Sequence, residues 1–178
     1  MSKAQRGVAL GAAAALVVTL LALFAAPGWA PFPPPGGVVE VQLRLTVAAA
    51  AWLGPLIALL ASIGVIANRR FFSEADIDGA GLTTESEAIR VPRAVLANTH
   101  EQATLAVIVY AALAITLPAA QLALPLILAT VFVAGRIFFA IGYARGAGAR
   151  AFGFGLTFYP TVGAAILLAL RVPGLLTR

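Results

Sequence analysis

Long apolar runs alternate with short polar breaks along this chain, at the spacing expected of a series of membrane helices. Lys3 and Arg6 precede an apolar run from Val8 to Ala26. A second run covers about Val41 to Ala67 and stops at Asn68, Arg69 and Arg70. A third opens at Arg90 and closes at Leu117-Pro118, and a very short turn to Gln121 returns a fourth beside it, about Leu122 to Tyr143. A fifth covers about Phe152 to Leu170. Each is near the ~20 residues needed to cross a hydrocarbon core. The pattern predicts an all-α integral membrane protein of five spans.

The breaks divide the chain. Between the first two runs, Pro27 to Gly37 contains five prolines and three glycines, which cannot continue a helix. Residues 1–30 therefore read as one N-terminal transmembrane helix, 31–40 as a Pro/Gly-rich linker and 41–178 as a four-helix membrane domain. The first helix ends in alanines like a signal peptide, but a proline directly after the cut site is unfavourable, so it reads as retained or as a signal anchor. Gly54-Pro55 stands where it would bend the second span or admit a neighbour. Arg44, near the outer end of that span, is expected to snorkel to the headgroups.

The loop from Phe71 to Ile89 holds five of the seven acidic residues. Glu74, Asp76, Asp78, Gly79 and Glu85 fall into an EF-hand-like register, but the first position is Glu, the eighth is Gly81 and no soluble helix pair flanks the loop. A polar turn leading to a capping box, Thr84-Glu85-Ser86-Glu87, accounts for the same residues, and no metal is expected. Pro92 then lies near the first turn of the next helix or kinks it.

The mouth of that helix carries the candidate chemistry. At about 100° per residue with Arg90 at zero, Glu101 falls at about 20°, Thr104 at about −40°, Arg93 at about −60° and Asn98 at about 80°. A carboxylate and an amide within hydrocarbon are expensive unless paired. Glu101 and Asn98 thus mark either a functional site with cationic partners or an interhelical lock. Arg136, inside the fourth span, needs an anion. Beyond it, Tyr143 to Phe154 reads as a glycine-rich basic turn containing Arg145 and Arg150.

Composition narrows the class. Hydrophobic residues make up 61% and charged ones 11%, which excludes a soluble domain. The net charge of +5 does not indicate nucleic acid, because the basic residues sit at span ends as topology signals. Cysteine is absent, so there is no disulfide, thiolate metal site or protein thiol nucleophile. With the amino terminus cytoplasmic, Lys3, Arg6, Arg69, Arg70, Arg90, Arg93, Arg145 and Arg150 lie inside, against Arg44, Arg171 and Arg178 outside. Arg69, Arg70, Arg93, Asn98, Glu101, Arg136, Tyr143 and Arg150 then share the inner half. They are expected to meet in one positive pocket for a small anion.

Ala67-Asn-Arg-Arg70, Asp78-Gly79, Arg93-Ala94 with Asn98-x-x-Glu101, Arg136, Gly142-Tyr143, Arg150 and Gly153-Phe154 resemble, in order and spacing, the MAPEG family of membrane-associated proteins in eicosanoid and glutathione metabolism. The resemblance covers about Val41 to Leu170 and leaves the first helix as an addition. It implies a MAPEG-like four-helix bundle, assembled as a homotrimer in a membrane and holding glutathione between subunits at the cytoplasmic ends. By position, Arg69 or Arg70, Arg93, Asn98 and Glu101 would grip the tripeptide's carboxylates and amino group, with Tyr143 and Arg150 nearer the thiol. A cation beside a thiol lowers its pKa and supplies thiolate. Arg93 stands five residues before Asn98, where the family commonly has four. Ala151 and Phe154 replace hydroxyl-bearing residues of some eicosanoid-forming members.

The expected function is therefore a glutathione-dependent transferase or peroxidase acting on small lipophilic electrophiles or hydroperoxides, set in membrane lipid, by expectation the bacterial inner membrane. The alternative is a non-catalytic protein of the same fold binding a lipid or another anionic ligand. His100, the only histidine, reads as a helix contact. Trp29 and Trp52 read as interface or packing aromatics, and Phe138, Phe139, Phe152, Phe154 and Phe158 as packing residues, some of them lining a lipophilic groove.

Overall fold

The computed structural model of the chain describes residues 1–25, 38–79, 82 and 84–177. The proline-rich stretch from Pro27 to Gly37, Trp29 within it, and Gly81 lie outside the described residues. The described residues form helices α1 Lys3–Ala25, α2 Val38–Phe71, α3 Glu87–Thr116, α4 Ala123–Tyr143 and α5 Ala147–Leu176, with one 3₁₀ turn, Ala119–Gln121, between α3 and α4. Helix α2 begins at Val38, so the last residues of the expected linker are already helical.

Helices α1, α2, α4 and α5 are each long and apolar enough to cross a membrane. Helix α3 spans 30 residues, about 45 Å at 1.5 Å per residue. Arg90, Arg93, Asn98, His100, Glu101 and Gln102 lower the hydropathy of its first half. It packs against α2, α4 and α5, while α1 lies along α5. The shared core is built from Tyr110, Leu113, Leu117, Leu122, Leu128 and Phe132. Leu56, Leu60, Ile108, Ile137 and Ile166 face outward, as they would in a bundle solvated by hydrocarbon.

Small residues set the helix spacing. A Cβ on Gly54 would stand 2.6 Å from the Ala129 carbonyl oxygen of α4, so this position admits a neighbour. One on Gly153 would run into the backbone of Phe138 and Phe139. The segment expected as a basic turn is accordingly a turn only between the end of α4 and the start of α5. Gly146, with φ +101°, supplies the left-handed residue that starts α5. Gly148 and Gly153 are helical and serve packing.

Two arginines hold helix ends. Arg44 is not directed to the headgroups. Its Nη1 donates to the carbonyls of Ala114, Ile115 and Leu117 at 3.1, 3.0 and 2.7 Å, and its Nε and Nη2 donate to Glu40 Oε1. The carbonyls that end α3 lack intrahelical partners, and a cation there also suits the helix dipole. Arg69 acts similarly. Pro92 lies inside α3 and has no N–H to offer the carbonyl four residues back. That carbonyl, on Ala88, accepts from Arg69 Nη1 at 2.6 Å.

The acidic loop is fastened by its own side chains. Buried Asp76 accepts from the Ser86 amide at 2.9 Å, and from the Ser86 and Ser73 hydroxyls at 2.7 Å each. These donors, with the Ser86 amide foremost, hold its carboxyl below the usual value of 3.8. The N-cap of α3 is therefore Ser86, not Thr84, and its hydroxyl is engaged by Asp76 rather than by the helix. Glu85 Oε1 pairs with both Arg70 and Arg93.

Candidate functional site

Helices α3, α4 and α5 converge where Asn98, Tyr143 and Arg150 line one cavity of about 390 Å³. Phe139, Phe154 and Tyr159 add aromatic walls, Ala147 and Ala151 line the α5 side, and Val8 and Ala12 come from α1. Arg150 sits at the end of the first turn of α5, and its guanidinium carbon lies 4.4 Å over the Tyr143 ring. This cation–π contact orients the arginine while leaving its donors for a ligand. Among the described residues Arg150 makes no ion pair.

Behind the cavity lies Arg136, 5% exposed. Its Nη1 donates to Asn98 Oδ1 at 2.9 Å, and its guanidinium carbon stands 4.2 Å from the Phe139 ring centroid. Its Nε and Nη2 are buried with no hydrogen-bond partner among the described residues. Asn98 in turn donates through Nδ2 to Glu101 Oε2 at 3.3 Å. An asparagine thus relays between a buried cation and an exposed carboxylate one turn away. One amide oxygen does not neutralise a guanidinium, so this site is short of negative charge.

The remaining expected residues lie elsewhere. Arg70 and Arg93 line a second groove between α2 and α3, with His100, Leu96 and Ile63. Arg69 borders a third, largely apolar groove of about 370 Å³ between α2, α3 and α4, which Arg136 also reaches. The eight residues therefore do not share one pocket within a chain. The reason is angular. Arg93 and Asn98 are about 140° apart around α3 at 100° per residue, so they face different neighbours. Arg93 meets α2, whereas Asn98 meets α4 and α5.

Tyr159, Val8 and Ala12 line the cavity without any earlier indication. The signal available for the last two was the spacing Gly7-x-x-x-Gly11-x-x-x-Ala15, a small-residue face of the kind that docks membrane helices.

The fit to glutathione can be judged from these groups. Its two carboxylates need cations; Arg136 reaches this cavity only through Asn98, and Arg70 and Arg93 stand in another groove. Its ammonium needs a carboxylate, and Glu101 has only an amide partner. Its thiol needs a cation beside an aromatic wall, as Arg150 and Tyr143 supply. The residues lining the cavity fit the thiol end of the group, while Arg136 and Glu101 connect to it through Asn98.

The family model described as MAPEG family matches residues 45–170. No curated protein and no solved structure matched the chain.

Proposed function

The chain belongs to the MAPEG family, and on that premise we propose that it is an integral membrane, glutathione-dependent transferase or peroxidase for lipophilic electrophiles or hydroperoxides. The observation that carries this reading is the stacked Arg150–Tyr143 pair lining one cavity with Asn98, with the under-compensated Arg136 behind it.

Glutathione, when bound, supplies the thiol. Arg150 is the residue that would hold the thiol's conjugate base, since a cation within about 4–6 Å favours the charged form by one to three pKa units. Tyr143 keeps that cation in place through its ring and offers a hydroxyl with no hydrogen bond among the described residues. Glu101 would take the ammonium and Arg136 a carboxylate. In transfer to an aryl chloride the C–S bond forms as the C–Cl bond breaks. Chloride leaves with the electron pair, and the thiol proton passes to water.

The groove holding Arg70, Arg93 and His100 lies on another side of α3, so it can contribute to the same ligand only across a subunit boundary. That separation supports a homotrimer with sites between subunits. The basic-residue count supports a cytoplasmic amino terminus and an outer carboxyl terminus.

The test is glutathione binding to the detergent-purified full chain, read as thiolate absorbance near neutral pH. Wild type should bind and ionise the thiol, Arg150→Ala should bind without ionising it, and Glu101→Gln should bind more weakly. A wild-type protein that neither binds glutathione nor shifts its thiol refutes the reading.

A further inference from the structure

Helix α1 lies outside the span the family model matches, yet it forms part of the cavity. Its docking on α5 is close along the whole length. A Cβ on Gly7 would stand 3.1 Å from Gly148, one on Gly11 2.8 Å from the Phe152 amide nitrogen, and one on Gly163 2.8 Å from Leu23. Ala15 is fully buried against Gly155, and Thr19 and Ala22 are buried further along. Gly7, Gly11 and Ala15 recur every four residues, which brings the two backbones together.

That seam fixes the rotation of α1. With Gly7 and Gly11 against α5, the next residues around the helix, Val8 and Ala12, fall on the cavity rim opposite Asn98 and beside Arg150 and Ala151. Leu10, two positions from each, is 73% exposed and faces away. The lining is otherwise polarised. Asn98 and Arg150 supply the polar contacts, and Phe139, Tyr143, Phe154 and Tyr159 supply four aromatic rings. Such rings suit a flat, unsaturated or aryl group by stacking. The small side chain of Ala12 sets how much room that group has on the α1 side.

We infer that α1 is a working wall of the site: Val8 and Ala12 contact the lipophilic co-substrate, and Ala12 limits its size. This rests on the transferase reading for its chemistry, but the placement of the wall can be tested without it.

Because the chain contains no cysteine, Ala12→Cys and Leu10→Cys each give a single thiol at similar depth on different faces of α1. The full-length variants, in lipid nanodiscs, are treated with the anionic reagent sulfonatoethyl methanethiosulfonate. The thiolate forms a mixed disulfide and methanesulfinate leaves. The Ala12→Cys thiol, reached through a cavity lined by Arg150, should react about tenfold or more faster than the lipid-facing Leu10→Cys thiol. Equal rates overturn the placement, whether or not glutathione binds.

The size limit is read on Ala12→Leu, with Leu10→Phe as a lipid-facing control. Wild type and Leu10→Phe should bind and ionise glutathione alike. Ala12→Leu should lose about tenfold in kcat/KM for a bulky polycyclic aryl halide, with less than about threefold change for 1-chloro-2,4-dinitrobenzene. Equal losses with both electrophiles, or none, overturn the size role. Absence of glutathione binding in wild type would refute the transferase reading and with it the size role, while the thiol rates would still decide the placement.

Discussion

Removing Asn98 should harm the folded protein more than removing the charge it serves. Among the described residues the Arg136 guanidinium has one hydrogen bond, Nη1 to Asn98 Oδ1 at 2.9 Å, and its Nε and Nη2 are already unpartnered. Asn98→Ala deletes that one acceptor and leaves a buried cation with no hydrogen-bond partner. Breaking a buried charged pair costs about 3–5 kcal/mol. Asn98 is neutral and half-buried, so about 2–3 kcal/mol is the appropriate range here, near that of a hydrogen bond to a charged group. Arg136→Met keeps most of the side-chain length and removes both the charge and its unmet donors. Replacing buried ionic groups by apolar ones of similar volume is often neutral, so this variant should stay within about 1 kcal/mol of wild type. In the Arg136→Met background, Asn98→Ala should then cost only about 0.5–1 kcal/mol, a coupling of about 1–2.5 kcal/mol. The assay is reversible unfolding in mixed micelles with increasing dodecyl sulfate mole fraction, followed by far-ultraviolet circular dichroism, with glutathione affinity measured in parallel. Arg136→Met should fold well and bind glutathione poorly, the pattern of a residue kept for its ligand. A loss of stability in Arg136→Met equal to that in Asn98→Ala would refute the reasoning, because it would make the arginine structural.

Arg69 should behave in the opposite way. Arg69→Ala leaves the Ala88 carbonyl without the donor that Pro92 cannot provide, and should destabilise by about 1 kcal/mol, the lower end for a charged hydrogen bond because this one is exposed. In a Pro92→Ala background the restored N–H should make Arg69→Ala nearly neutral, and an undiminished loss in the same unfolding assay would show that the arginine does something else. The acidic loop should respond to pH. The Asp76 carboxyl is held below its ordinary value of 3.8, so its contribution is complete above that value and is lost as pH falls through the lower folded-state value. Pepsin cleavage near Phe71-Phe72, normalised to an unstructured peptide, should therefore rise steeply below pH ~3.8 in wild type and be high throughout in Asp76→Asn. An identical pH profile in both would remove Asp76 as the fastener.

The spans were legible because length and apolarity alone determine what can lie in hydrocarbon. Helices α2 and α4 follow the runs ending at Arg70 and Tyr143 closely. The start of α5 was not legible, since glycines and arginines between Tyr143 and Phe154 look like turn chemistry. Only the partner surfaces, Gly7 for Gly148 and the Phe139 backbone for Gly153, show that these glycines are packing residues within a helix. The polar face of α3 was visible from its period, but a face about 140° wide meets more than one neighbour. A helical wheel does not say which neighbour each edge meets. The cavity's α1 wall was within reach of the small-residue spacing, whereas Tyr159 became evident only from the fold.

Counting cations in the inner half also overstated what a ligand can use. Arg69 is engaged by the Ala88 carbonyl, and Arg70 and Arg93 by Glu85. These contacts are set by local needs, a proline's missing donor and a loop carboxylate, and they would exist without any ligand. Of the cations expected in the pocket, what remains among the described residues is Arg136, tied to an amide and stacked on the Phe139 ring, and Arg150, held by the Tyr143 ring. On the acidic side Glu101 remains, tied to the same amide. A fold that satisfied Arg136 internally would place a carboxylate where Asn98 stands. The neutral relay instead leaves both the cation and Glu101 without an ion pair among the described residues, joined through one amide. Such an arrangement suits a ligand carrying both charges, a carboxylate for Arg136 and an ammonium for Glu101, as an amino acid moiety does. A phospholipid phosphate whose headgroup carries no amine would satisfy only the arginine. The neutrality of Asn98 is therefore the feature that favours a zwitterionic peptide over an anionic lipid headgroup.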